Sequence, residues 1–162
     1  MDTTSLRDAY RTLLDAATTV ADAADPPPIP PAGEWNAAQI LAHVSLVTAT
    51  TIAAAARIAS GANTTYDNRI ALDIWTIDRV IALAGGEARL RERIRTQGEA
   101  LCGLGGPVLS DAELDTPVPT LLLSNGAVLV DQPLPLRDIL AGLAKVELPG
   151  HATQLLALLG RR

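Results

Sequence analysis

The chain has 162 residues, 48% of them hydrophobic and 19% charged, a composition that suits one globular domain and excludes a disordered or repetitive chain. A net charge of −5 argues against a nucleic-acid binder, because phosphate contacts need a positive field. Phe is absent and Cys102 is the single cysteine, so the core must be built from Leu, Ile, Val and Ala, without any intrachain disulfide.

Met1 to Ser5 shows no basic segment leading into an apolar run, and the Ala-rich stretch from Thr48 to Ala56 is short for a membrane span and carries three threonines. Neither export nor membrane insertion is indicated, and a cytoplasmic protein is expected. Leu6, Tyr10, Leu13, Leu14, Ala17, Val20 and Ala24 recur at the three-and-four spacing of a long amphipathic helix that begins near Thr4 or Ser5. Five prolines in the six residues from Pro26 to Pro31 stop it and predict a stiff extended connector.

A second helix is announced by Asn36, which can cap the first turn, by Gln39, which can reach back to it, and by Trp35, which can staple onto Ile40. Its apolar face runs through Ile40, His43, Val44, Val47, Thr51, Ala54 and Ile58 to Gly61. After a polar loop through Tyr66, a third helix is predicted with Ile70, Ile74, Ile77, Val80, Ile81 and Ala84 on one side, ending at Gly85-Gly86. A fourth starts at Glu87 and carries Leu90, Ile94, Leu101 and Leu104. Gly98 interrupts it and predicts a loose or kinked second half, since glycine costs about 1 kcal/mol relative to alanine in a helix.

Arg89, Arg91, Arg93 and Arg95 on that helix are interleaved with Glu87, Glu92, Leu90 and Ile94, the pattern of a solvated face rather than a phosphate-binding stripe. Cys102 reads as a buried structural thiol. Asp73 and Asp78 read as charges on a solvent face. Beyond Gly103, glycine and proline punctuate the chain, Ser110 and Glu113 form a capping box for one turn, and Thr120 to Val130 reads as two short strands around Asn125-Gly126. The last helix starts near Pro135 and presents Leu136, Leu140, Leu143, Glu147, His151, Gln154/Leu155 and Leu158 on one face. Pro149, inside it, predicts a kink or a restart, and the continuous apolar face favours the kink.

The two histidines of the chain, His43 and His151, both fall on apolar helix faces, and Glu147 precedes His151 by one turn, about 6 Å along the axis. A carboxylate on such a face needs compensation. Three readings remain open: a divalent metal held by the two imidazoles and Glu147, a structural glutamate–histidine hydrogen bond, and a glutamate exposed at the kink.

Trp35-Asn36-Ala37-Ala38-Gln39-Ile40-Leu41-Ala42-His43-Val44 resembles the DinB-like pattern of a capped tryptophan before a helix with the first metal-binding histidine. Leu148-Pro149-Gly150-His151-Ala152-Thr153-Gln154-Leu155-Leu156 is similar to that family's final helix, where a histidine lies three residues before Gln-Leu. The capping box at Ser110, the Asn125-Gly126 turn and the apolar run into the last helix fall in the expected order between them. The resemblance implies an all-α, up-down-down-up four-helix bundle over residues 1–162, here with a small β-hairpin before the last helix. It implies a divalent metal (zinc, nickel, iron or manganese) held by three histidines, two of which match as His43 and His151. Glu147 stands where the third histidine would be. It also implies thiol-dependent transferase or isomerase chemistry on a small molecule, with mycothiol or bacillithiol as the low-molecular-weight thiol. The rival expectation is a non-catalytic bundle that binds a small apolar ligand or a partner subunit. A homodimer is expected from the breadth of the apolar faces, above all on the Ala-rich second helix.

Overall fold

A computed structural model of the protein describes residues 1–23, 30 and 33–160. The connector predicted over 25–31 lies outside the described residues, Pro30 excepted. Helix α1 spans Thr4–Ala23 and buries Leu6, Tyr10, Leu13, Ala17 and Val20, the face that the spacing predicts. Helix α2 spans Ala37–Ala59. Its first turn is closed by the full capping box: the Asn36 side chain accepts from the Gln39 backbone, and the Gln39 side chain accepts from the Asn36 backbone.

The predicted third helix is two. Helix α3 is the single turn Arg69–Leu72 and α4 runs Ile74–Ala84. Asp73 separates them, because its extended backbone and its side chain, which accepts from the Thr76 amide, start a new helix in mid-pattern. That restart turns Ile70 and Ile74 outward, so both are exposed although the periodicity places them on the apolar face.

Helix α5 spans Glu87–Gly103 and continues into a π-helical turn over Leu104–Val108. Contrary to expectation, Gly98 neither loosens nor breaks it. The glycine is buried, and the hydrogen that stands in place of a Cβ lets the Tyr10 ring of α1 lie against the α5 backbone: a Cβ there would sit 2.9 Å from Tyr10 Cγ. The ring is further held by a 2.9 Å hydrogen bond between its hydroxyl and Thr48 of α2, so three helices meet at one glycine.

After the capped turn α6 (Asp111–Leu114), the Asn125-Gly126 hairpin appears as expected but longer, with β2 over Pro117–Ser124 and β3 over Ala127–Pro135. Both turn residues have positive φ, 49° and 77°, as a two-residue hairpin turn requires. The strands pair antiparallel, and a bulge at Leu122/Leu123 leaves Leu129 without a partner. A third strand went unseen in the sequence: β1, Tyr66–Asp67, pairs parallel to β2 with Tyr66 opposite Thr120. Two residues are too few to show an alternating pattern.

The last helix neither stops nor restarts at Pro149. It runs as α7 (Leu136–Gly142), a π-helical turn (Leu143–Glu147) and α8 (Leu148–Ala157). In the widened turn the Leu148 amide bonds to the Leu143 carbonyl. Pro149 therefore falls in the first turn of α8, directly after the π-helical turn, and the shifted bonding there accommodates its missing N–H.

Helix α2 lies along α5, and α1 along α5 and α8. One continuous core joins Leu13, Ile40, Leu90, Ile94 and Leu140 to Tyr66 and Val118 of the sheet, each large aliphatic side chain contributing about 1.5–3 kcal/mol on burial. By length and a mean hydropathy of 1.5, α2 could cross a membrane, yet 56% of that window is buried inside the protein, the position of a core helix. Of its alanines, Ala42, Ala54 and Ala55 are buried within the single chain, whereas Ala53 and Ala56 are exposed.

Candidate metal centre

The π-helical turn delivers Glu147 as its last residue, and His151 follows one α-turn later on the same face. His43 approaches from the second turn of α2. Glu147 Oε1 lies 2.9 Å from His43 Nε2 and 3.3 Å from His151 Nε2, and one ligand atom from each of the three side chains lies within 4.8 Å of the others. His43 is 2% exposed, whereas the Glu147 side chain is 35% exposed. The site is a half-open cup with His43 at its floor.

The tautomer of His43 follows from its other nitrogen. Nδ1 is 2.7 Å from the Ala71 carbonyl oxygen, which can only accept, so Nδ1 carries the proton. In the neutral ring, Nε2 then directs a lone pair at a carboxylate oxygen 2.9 Å away. Two acceptors at that distance need positive charge between them, supplied either by a second ring proton or by a metal cation. His151 repeats the arrangement: its Nδ1 donates to Gln154 Oε1 at 2.9 Å while Nε2 faces Glu147. A ring nitrogen held by a carbonyl or an amide while its partner points inward is the usual outer support of a metal-ligating histidine.

The donor set fits a divalent cation. Two imidazoles and a carboxylate suit zinc, nickel, iron or manganese, and two atoms each about 2.1 Å from one ion lie roughly 3 to 3.4 Å apart, close to the two separations from Glu147, while the two imidazole nitrogens, within 4.8 Å of each other, draw together to share an ion. With Nε2 of each ring protonated, the hydrogen bonds from His151 and then His43 hold the Glu147 carboxyl well below the usual carboxylate range, against the opposing effect of burial.

A pH dependence follows. A depressed carboxyl stabilises the fold fully above its ordinary value of 4.5 and progressively less as the pH falls below it. Metal-free Glu147→Gln should therefore show a flatter acid limb than wild type when denaturation midpoints are plotted against pH. Parallel acid limbs would show that the carboxylate contributes nothing.

Trp35, expected to staple onto Ile40, is half-buried against the core and meets the His43 ring in a tilted contact at a centroid distance of 4.8 Å. The tryptophan thus belongs to the wall of the cup. The Ala71 carbonyl and the Gln154 amide were missed as site groups. A backbone carbonyl leaves no trace in sequence, whereas Gln154, three residues after His151, stands at a spacing that places it on the same helix face.

The other candidates resolve as structural. Cys102 is buried, and burial pushes its thiol up. Asp73 is the cap of α4 and Asp78 is exposed. Arg95 pairs with Glu92 and Glu99 on the solvent side of α5. Tyr66 is held as a neutral donor: Thr51 gives its own proton to the Val47 carbonyl and accepts from the phenol, which burial pushes up to about 12.

Fold and site together define a mostly helical protein with a small three-stranded sheet and a His-Glu-His cluster fed by two long helices. Comparison with protein-family models, with curated proteins and with solved structures finds no match to the chain.

Proposed function

We propose that the protein is a DinB-like four-helix bundle that holds one divalent cation through His43 Nε2, His151 Nε2 and Glu147 Oε1, and that this centre serves a thiol-dependent transferase or isomerase reaction on a small molecule. The observation that carries the metal reading is the lone pair of His43 Nε2, aimed at a carboxylate oxygen because the Ala71 carbonyl occupies Nδ1. The thiol chemistry rests on the resemblance of the Trp35–Val44 and Leu148–Leu156 segments alone. A bound cation would supply Lewis acidity, favouring the ionised form of a thiol or water beside it.

The chain's own residues perform the remaining tasks. His43 and His151 stay oriented by Ala71 and Gln154. Glu147 contributes the one negative charge of the set and opens toward solvent, where a small molecule can approach. Trp35 closes one side over His43 and keeps water from it.

The hydrogen bonds from both imidazoles to one carboxylate oxygen also favour a second reading, a structural polar cluster inside a non-catalytic bundle that takes a small apolar ligand or a partner subunit. Titration of the purified protein with zinc, nickel, manganese and iron(II) separates the two. Near-stoichiometric binding of one ion, weakened by Glu147→Gln, is the result expected. No binding of any of the four at micromolar concentration would leave the cluster structural.

A further inference from the structure

The β2–β3 hairpin has no residue in the metal-holding set, yet it reaches His43 through one side chain. Asn68 stands between β1 and α3, and both ends of its amide engage the backbone of one residue of β2, Leu123. Asn68 Nδ2 donates to the Leu123 carbonyl at 2.9 Å, and the Leu123 amide donates to Asn68 Oδ1 at 2.9 Å. The Asn68 backbone amide adds a longer bond to the Leu121 carbonyl. A carboxamide presents donor and acceptor side by side as a peptide does, so the side chain extends the parallel pairing of β1 with β2 beyond Asp67.

Leu123 lies at the bulge of the hairpin, where the strand bends and a ladder is locally broken. From Asn68 the path to the site is short. The Asn68 carbonyl accepts from the Ala71 amide at 3.0 Å, and the Ala71 carbonyl accepts from His43 Nδ1. Helix α3 ends at Leu72, so the Ala71 carbonyl faces His43 rather than a further turn. A four-residue helix does not hold itself in place, and the Asn68 side chain, unused as a cap, ties it to the sheet instead.

We propose that Asn68 is a positioning residue: the hairpin, through the Asn68–Leu123 clamp, holds the Ala71 carbonyl against His43 Nδ1 and so decides which imidazole nitrogen faces Glu147. The proposal builds on the reading of His43 Nε2 as a ligand, but its first readout is independent of any metal.

Nitrogen-15 NMR of the imidazoles in metal-free protein, recorded at about pH 8.5, above the ordinary imidazole range, distinguishes the two tautomers. Wild-type His43 should be one species with Nδ1 protonated, with or without a second proton on Nε2. Asn68→Asp keeps size and the acceptor but sets an oxygen against the Leu123 carbonyl, and Asn68→Ala removes both bonds. Either variant, with helix content retained by circular dichroism, should show a mixture of tautomers at His43 while His151 is unchanged, and its Kd for zinc should rise about tenfold or more. A wild-type ring without one Nδ1–H species would overturn the proposal, and so would a folded Asn68→Asp protein with the wild-type His43 signature. If the wild type binds no zinc, the metal reading fails while the tautomer comparison still decides the role of Asn68.

Discussion

Replacement of His43 by alanine, or of His151 by alanine, should each weaken divalent-cation binding about a hundredfold and leave the chain folded. The magnitude comes from structural zinc sites, where an apparent binding energy of about 10 to 16 kcal/mol over four ligands puts roughly 3 kcal/mol on each. Among the described residues three side chains converge here, so losing one leaves two and forfeits any chelate geometry. His43 should be the more sensitive position, because it is nearly enclosed and held at both nitrogens, whereas His151 lies nearer the rim. Glu147→Gln preserves shape and should still weaken binding, through loss of the single negative charge of the set. Calorimetric titration of the four proteins with zinc checks all of this. Wild-type affinity in both alanine variants would place the ion elsewhere and dissociate the cluster from metal.

Gly98→Ala should destabilise the protein by about 2 kcal/mol, although alanine is favoured over glycine in a helix interior by about 1 kcal/mol. The new Cβ would stand 2.9 to 3.1 Å from three atoms of the Tyr10 ring, and overpacking of this kind typically costs about 1 to 3 kcal/mol. The nearest contact, Cγ, is the root of the ring rather than a free end. Relief therefore requires α1 and α5 to separate, and the Tyr10–Thr48 hydrogen bond to stretch with them. Tyr10→Leu should remove most of that penalty, since the crowding ring is gone. Urea denaturation of the two single variants and the double variant measures the coupling. A stabilised Gly98→Ala protein would show that the helices have room to spare.

The parts of this protein legible in the sequence are those written in local chemistry. The Asn36 and Ser110 capping boxes, the Asn125-Gly126 turn and the buried face of α1 depend on residues within a few positions of one another, and each is found where the pattern puts it. The candidate trio was also legible, because His43 and His151 are the only histidines and Glu147 precedes one of them by a helical turn. What the sequence alone could not decide involves partners far along the chain. β1 exists only because β2 offers it an edge, and Gly98 serves a tyrosine of another helix, whereas the split at Asp73 is a local cap on Thr76 that the periodicity masks. Pro149 is accommodated by a π-helical turn that precedes it, and that turn brings Glu147 and His151 together toward α2. The tautomer of His43 was the furthest from view: it depends on a backbone carbonyl 28 residues away, and every residue type supplies the same carbonyl. Side-chain patterns specify helices, turns and caps, whereas backbone groups, steric vacancies and hydrogen-bond register acquire their roles only when the tertiary fold brings distant segments into contact.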